Sequence, residues 1–279
     1  MDNYKIPVGD IIEGFINFLD TNLSFITKAF SNVTENGIDI LVTVMMFFHP
    51  MVLILAVAGL AYFLTRRPGI AAFAFFGLIL VWNMGLWEPT LSTIALVLIA
   101  TLFAIMIGLP LGIFAALNNV FYRIIMPILD FMQTMPAFVY LIPAIPFFGL
   151  GAVAAIFSTV IFSMPPAIRL TCLGIKQVPN ELVEAADAFG SDKWQKLFKL
   201  QLPIATPTIM AGINQTIMLA LSMVVIAAMI GAKGLGGEVW KAIQRLQAGR
   251  GFEAGIGIVI VAIILDRVMQ RVGQRSKAA

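Results

Sequence analysis

Residues 176–203 read KQVPNELVEAADAFGSDKWQKLFKLQLP, the one long polar interruption in a chain that is 60% hydrophobic. Apolar runs lie on both sides, so the stretch is a folded loop held between two membrane spans. Its pattern predicts two short helices. Asn180 is suited to cap the first, whose Leu182, Ala186 and Phe189 fall at i, i+4 and i+7 on one apolar face. Glu181, Glu184 and Asp187 line the other side, mostly near the helix N-terminus, where negative charge is favoured. Gly190 is placed to end that helix and Ser191 to start the second. There, Trp194, Leu197 and Phe198 share one face while Lys193, Lys196 and Lys199 form a basic stripe. A plain connector needs none of this, so the stretch reads as a docking element.

The surroundings set the class. With 279 residues, a mean hydropathy of +0.95 and only 12% charged residues, the chain carries more apolar surface than a soluble domain can hide. Its apolar runs are continuous rather than alternating, which excludes a porin-like barrel. The expectation is an all-α, polytopic membrane helical bundle. One cysteine, Cys172, and one histidine, His49, exclude an internal disulfide and any cysteine or histidine metal cluster. The net charge of +3 marks membrane-side loops rather than nucleic-acid binding, since no basic-aromatic recognition module is present. The start, MDNYKIPVGDIIEGFINFLD, lacks a basic segment followed by an apolar core, so no cleavable signal peptide is expected.

Residues 1–37 are amphipathic and acidic. Ile11, Ile12, Phe15, Phe18 and Leu19 oppose Asp10, Glu13, Asn17 and Asp20, which predicts a helix on the membrane surface or against the bundle. About seven spans follow, at residues 46–65 (with a kink near Pro50), 69–87, 91–117, 124–148, 152–175, 204–231 and 254–269. The fourth holds four prolines, and the fifth a Pro165-Pro166 pair. An odd span number puts the termini on opposite sides. With the N-terminus outside, Lys5, Lys28, Lys233, Lys241, Arg245 and Arg250 are external and the other 12 of the 18 Lys and Arg are internal. The excess of inner positive charge places residues 176–203 and the C-terminus in the cytoplasm.

No G-x-x-x-x-G-K-[ST] phosphate loop occurs, so nucleotide hydrolysis is not expected of this chain. Asp130 is the acid inside the fourth span, with Gln133 and Thr134 one turn on. It reads either as a proton or cation site or as a group solvated near Arg123 at the cytoplasmic edge; the second is favoured. Asp266 adjoins Arg267 and is expected at the interface. Phe131, Phe138 and Tyr140 offer π-faces to a quaternary ammonium solute, although helix packing is the commoner use. Pro136, Pro165 and Pro166 are candidate hinges, because a proline frees a backbone carbonyl and bends a helix beside a cavity.

Glu184-Ala185-Ala186, three residues, Gly190, nine residues, then Leu200-Gln201-Leu202-Pro203 resembles the EAA loop of binding-protein-dependent ABC importer permeases, with every fixed position met. LDFMQTMPAFVYLIPAIPFFG, MPPAIRLTCLGIKQVPNELVEAA and LPIATPTIMAGINQTIMLALSMVVIAAMIGAKGLG resemble the glycine betaine/proline branch of that family, over about residues 90–270. The resemblance implies the type I ABC importer permease fold. It divides the chain into an N-terminal amphipathic region at 1–45, accessory spans at 46–90, a permease core at 91–270 and a cytoplasmic tail at 271–279. It also implies a second permease copy, two cytoplasmic ATPase subunits that hold the ATP and Mg, and an external substrate-binding protein. The coupling role falls to Glu184, Ala185, Ala186, Phe189, Gly190, Leu200, Leu202 and Pro203. Glycine betaine is the implied solute. Choline, proline or another amino-acid-like solute is an alternative within the importer class, and an ion-coupled secondary carrier using Asp130 is the alternative outside it.

Overall fold

The computed structural model describes residues 7–275, all of whose regular structure is helical. Lys5 and Lys277 of the charge count lie outside these residues, as do the side chains of Ile11, Phe15, Asp20 and Arg275. The order is α1 (Val8–Phe47), α2 (Pro50–Thr65), α3 (Pro68–Asn83), α4 (Trp87–Leu117), α5 (Asn119–Thr134), α6 (Leu141–Phe148), α7 (Ala152–Ser163), α8 (Pro165–Lys176), α9 (Asn180–Ala188), α10 (Lys193–Gln195), α11 (Leu202–Ala227), α12 (Leu235–Gln244) and α13 (Ala248–Arg275).

The bundle centres on α8, which lies between α4 and α11. Close approach is built into the sequence here. A Cβ on Gly112 of α4 would stand 2.7 Å from the Ile168 carbonyl oxygen, and one on Gly212 of α11 would stand 3.0 Å from that of Pro166. Small residues at such crossings let backbones touch, which suits a membrane interior where helix association depends on packing. Residues 108 and 112 of α4 meet 164–171 of α8, so those two helices run parallel. Gly212 meets 166–170 and Gly174 meets 205–208, so α11 returns antiparallel. Thr93 of α4 accepts from the Leu235 N–H at 2.8 Å and holds the start of α12 at the opposite end.

By length and composition, three helices are suited to cross a membrane: α4, the α7–α8 run Ala152–Lys176, and the run Lys193–Ile230 containing α11. The number rises to five if two bent pairs each count as one span. These bends correct two expected spans. The first was expected at 46–65 with only a kink; instead Thr27–Phe47 and Pro50–Thr65 meet at 104°. Proline disfavours helical backbone in the residue before it, and His49 is extended at φ −57° and ψ 138°. The fourth was expected as one run over 124–148; instead α5 and the Ala137–Phe148 segment meet at 111°. Met135 sits before Pro136 and is likewise extended. The α2–α3 hairpin has two 16-residue helices, each about 24 Å long against a hydrocarbon core of about 30 Å.

The N-terminal region is one 40-residue helix, and its second half docks against the bundle. Phe30 packs on Phe103, Phe148 and Phe157 with ring centroids 5.1–6.1 Å apart, and Thr34 is fully buried. Phe18 and Phe25 remain exposed. At the other end of the chain, α13 continues as helix through the 270/271 boundary.

Candidate coupling site and pathway

The loop between α8 and α11 is ordered by its own caps. Helix α9 starts one residue earlier than the capping pattern suggested. Pro179 occupies the N-cap position and Asn180 is the first helical residue, with no side-chain cap bond. At the C-terminus, the Gly190 N–H donates to Asp187 O at 2.9 Å and the Ser191 N–H to Ala186 O at 3.0 Å. That pair is a Schellman motif, and Gly190 has the φ of +77° it requires. No atom lies within 4 Å of a Cβ built there, so glycine is needed for conformation and not for space.

The second helix is started by Asp192, not Ser191. Asp192 Oδ1 accepts from the Gln195 N–H at 2.7 Å, and Gln195 Oε1 accepts from the Asp192 N–H at 3.2 Å, a reciprocal capping box. The chain then widens into a π-turn over Lys196–Gln201 before entering α11 without a break. Pro203 lies in the first turn of α11, as expected at the start of the sixth span, although α11 continues from the π-turn without a break. Its ring excludes the ordinary bond to Lys199 O, and the wider turn, with the Leu202 N–H donating to Leu197 O, accommodates it.

This geometry separates the predicted residues. Leu197 is buried and ties the loop to the bundle, while α9 has no buried residue. Glu184 and Ala185 are exposed, and Ala186 and Leu200 are half-buried. Phe189 is 91% exposed, Trp194 65% and Phe198 60%, with the last two rings stacked at 5.9 Å. The expected single apolar cluster is thus split into an anchor, Leu197, and an outward aromatic face. The basic stripe is also divided, because Lys196 turns back to pair with Asp187.

The candidate pathway residues differ in exposure and in what holds them. Asp130, expected to be solvated near Arg123, is 65% exposed and pairs with Arg169 of α8 at 2.6 Å. Gln133, Pro136 and Phe138 are exposed, whereas Tyr140 is buried. The Tyr140 hydroxyl donates to Met132 O across the bend, its carbonyl accepts from Ser158 Oγ at 3.0 Å, and its ring meets Phe162. Tyr140 therefore secures the turn, and its ring is a packing surface. Pro165 and Pro166 are buried at the start of α8, where α7 passes through a helical Met164 and the run keeps its direction well enough to count as one span.

Three contacts were not anticipated. Arg169 had been counted only as an inner positive charge, although an arginine inside a span calls for a carboxylate nearby, and Asp130 was the available one. Lys176 Nζ lies 3.4 Å from the centroid of the Tyr122 ring, joining α8 to α5 beside the loop. Asp266, expected at the interface with Arg267, accepts instead from Asn214 of α11 at 2.8 Å and from Gln270 at 2.8 Å. Arg267 is a distant neighbour at 3.9 Å.

Comparison with known proteins agrees with this architecture. Residues 108–278 match the family described as binding-protein-dependent transport system inner membrane component. The glycine betaine transport system permease protein OpuAB of Bacillus subtilis (strain 168) is 50% identical over 274 residues, covering 98% of this chain and 97% of its own. The glycine betaine/carnitine transport permease protein GbuB of Listeria monocytogenes serotype 1/2a (strain 10403S) is 52% identical over 269 residues, covering 95% and 92%. A chain of the inward-facing MetNI methionine ABC transporter superposes with a TM-score of 0.62 over 66% of this chain and 93% of its own; at 22% identity that likeness concerns the fold. The chain belongs to the family of inner membrane components of binding-protein-dependent transport systems.

Proposed function

We propose that this chain is the permease subunit of an ATP-driven importer of glycine betaine, working in a bacterial cytoplasmic membrane with its N-terminus outside and its C-terminus in the cytoplasm. A second permease copy completes the pathway, two ATPase subunits bind ATP and Mg and drive it, and an external binding protein delivers the solute. The observation that carries this reading is the loop at 180–201: a self-capped helix pair that buries only Leu197 and turns Phe189, Trp194 and Phe198 outward. Exposed aromatics on a rigid mount are the chemistry of a docking surface. Glu184, Ala185 and Ala186 line the same helix, and Leu200, Leu202 and Pro203 carry its movement into α11. The glycine betaine permeases of Bacillus and Listeria, similar along nearly the whole chain, support the choice of solute.

Reconstitution with the cognate ATPase and binding protein tests the reading. Parent vesicles take up glycine betaine on ATP addition, and Gly190→Asp, which strains the φ of +77°, abolishes uptake. Undiminished uptake by that variant, or uptake without ATPase, would overturn the coupling role. Stronger competition by choline or proline than by glycine betaine would move the substrate assignment. The ion-coupled carrier is disfavoured because Asp130 is already paired with Arg169.

A further inference from the structure

The chain has a second built feature, lined by residues of neither the loop nor the bent α5–α6 segment. Helices α3 and α13 pack antiparallel, with Gly77 opposite Ile260. At one end of this pair lies a pocket of about 370 Å³ lined by Arg67, Ile70, Arg267, Gln270 and Arg271. Tracing helix directions from α8 through α11 and α13 puts this pocket at the same end of the bundle as the coupling loop.

Its electrostatics are lopsided. Among the described residues, neither Arg67 nor Arg271 has a carboxylate within ion-pair distance. The one nearby acid is Asp266, 3.9 Å from Arg267 Nε and already engaged by Asn214 and Gln270. Arg66, the preceding residue, is held over the Phe63 ring 5.4 Å away. The pocket also meets the N-terminus of α3, which opens at Pro68 and presents the positive end of its dipole. Three guanidiniums against one shared carboxylate leave a net positive cavity whose charge suits a phosphate.

The neighbouring surface indicates the source of that phosphate. Leu60, Tyr62 and Phe63 of α2 and Phe73, Phe76 and Leu80 of α3 are exposed apolar side chains on the hairpin whose turn carries Arg67. The pocket therefore sits where an acyl-facing surface ends. We propose that it holds the phosphate of an anionic phospholipid headgroup, with the acyl chains lying along α2 and α3.

The test uses the full chain, purified and delipidated in detergent, with bound lipid counted by native mass spectrometry. Phosphatidylglycerol is expected to bind in preference to phosphatidylcholine. With about fivefold per guanidinium, Arg67→Gln with Arg271→Gln weakens phosphatidylglycerol binding about twenty-five-fold. Arg67→Lys with Arg271→Lys keeps the charge and retains most of the binding, which separates loss of the site from loss of the fold. Equal affinity for the two lipids in the parent chain, or unchanged phosphatidylglycerol binding in the glutamine variant, would overturn the proposal. Displacement of the lipid by millimolar inorganic phosphate would overturn the lipid source in favour of a soluble anion.

Discussion

The loop at 176–203 and the bent α5–α6 segment are both interruptions of the helical bundle, and they are held in different ways. The loop is determined locally: its Schellman turn, capping box and π-turn each close within about ten residues, and it needs the bundle mainly at Leu197. The bent segment has one local tie, the Tyr140 hydroxyl on Met132 O across the bend, and otherwise depends on distant elements. Pro136 permits its 111° turn, but the turn is secured by Ser158 on the Tyr140 carbonyl, the Phe162 ring and Arg169 on Asp130. A locally folded element can move as a rigid body against its surroundings. An element held by neighbouring helices changes shape when those helices move.

The comparison breaks most visibly at its common support, α8. Gly112→Leu drives a side chain into the Ile168 carbonyl and Thr171, both 2.7 Å from the first added carbon. Overpacking of this kind costs about 3 kcal/mol, and here backbone must yield. Loss of a monodisperse detergent peak and a lowered unfolding temperature are the expected outcome, with the bent segment affected and the caps of the loop intact by hydrogen exchange. A variant as stable as the parent would show that the α4–α8 contact is not the support.

A smaller effect sharpens the claim that the bent segment is held by tertiary contacts. Asp130 and Arg169 are 65% and 37% exposed, so their attraction is largely screened and is about 1 kcal/mol. Asp130→Asn and Arg169→Gln each leave one charge without its partner, and the double variant leaves none. In a double-mutant cycle read by thermal unfolding, the double change is expected to cost less than the sum of the singles. Strict additivity would mean that the two side chains touch without coupling.

The same division explains what could be read from the sequence. The loop was legible because its signals are short-range: Gly190, the apolar spacing and the EAA pattern all lie within residues 180–203. Even its errors were local ones, since Asp192 replaced Ser191 by a single position and Pro179 displaced Asn180. The sequence places a kink near Pro50 and a hinge at Pro136 but not bends of 104° and 111°, because proline announces a break but not its angle, which neighbouring helices set. Arg169, the partner of Asp130, and Asn214, the α11 partner of Asp266, lie 39 and 52 residues away, beyond any periodicity. The helical class followed from composition alone, while the packing of α8 depends on which glycines face each other, and spacing along one helix does not reveal that.

The smallest expected effect addresses the loop's independence directly. In Asp192→Ala the Gln195 N–H loses its acceptor and the reciprocal bond from Gln195 loses its geometry. Removing an N-cap costs about 1 kcal/mol. Amides at 193–201 are then expected to exchange about fivefold faster, matching a free-energy loss of that size. Amides of α5 and α6 should keep the parent's rates, because no bond of the capping box reaches them. If protection falls in both regions, the two are one cooperative unit, and the loop cannot act as a rigid body mounted on the bundle. If it falls only in 193–201, a single acceptor oxygen governs how stiffly the outward face of Trp194 and Phe198 is held.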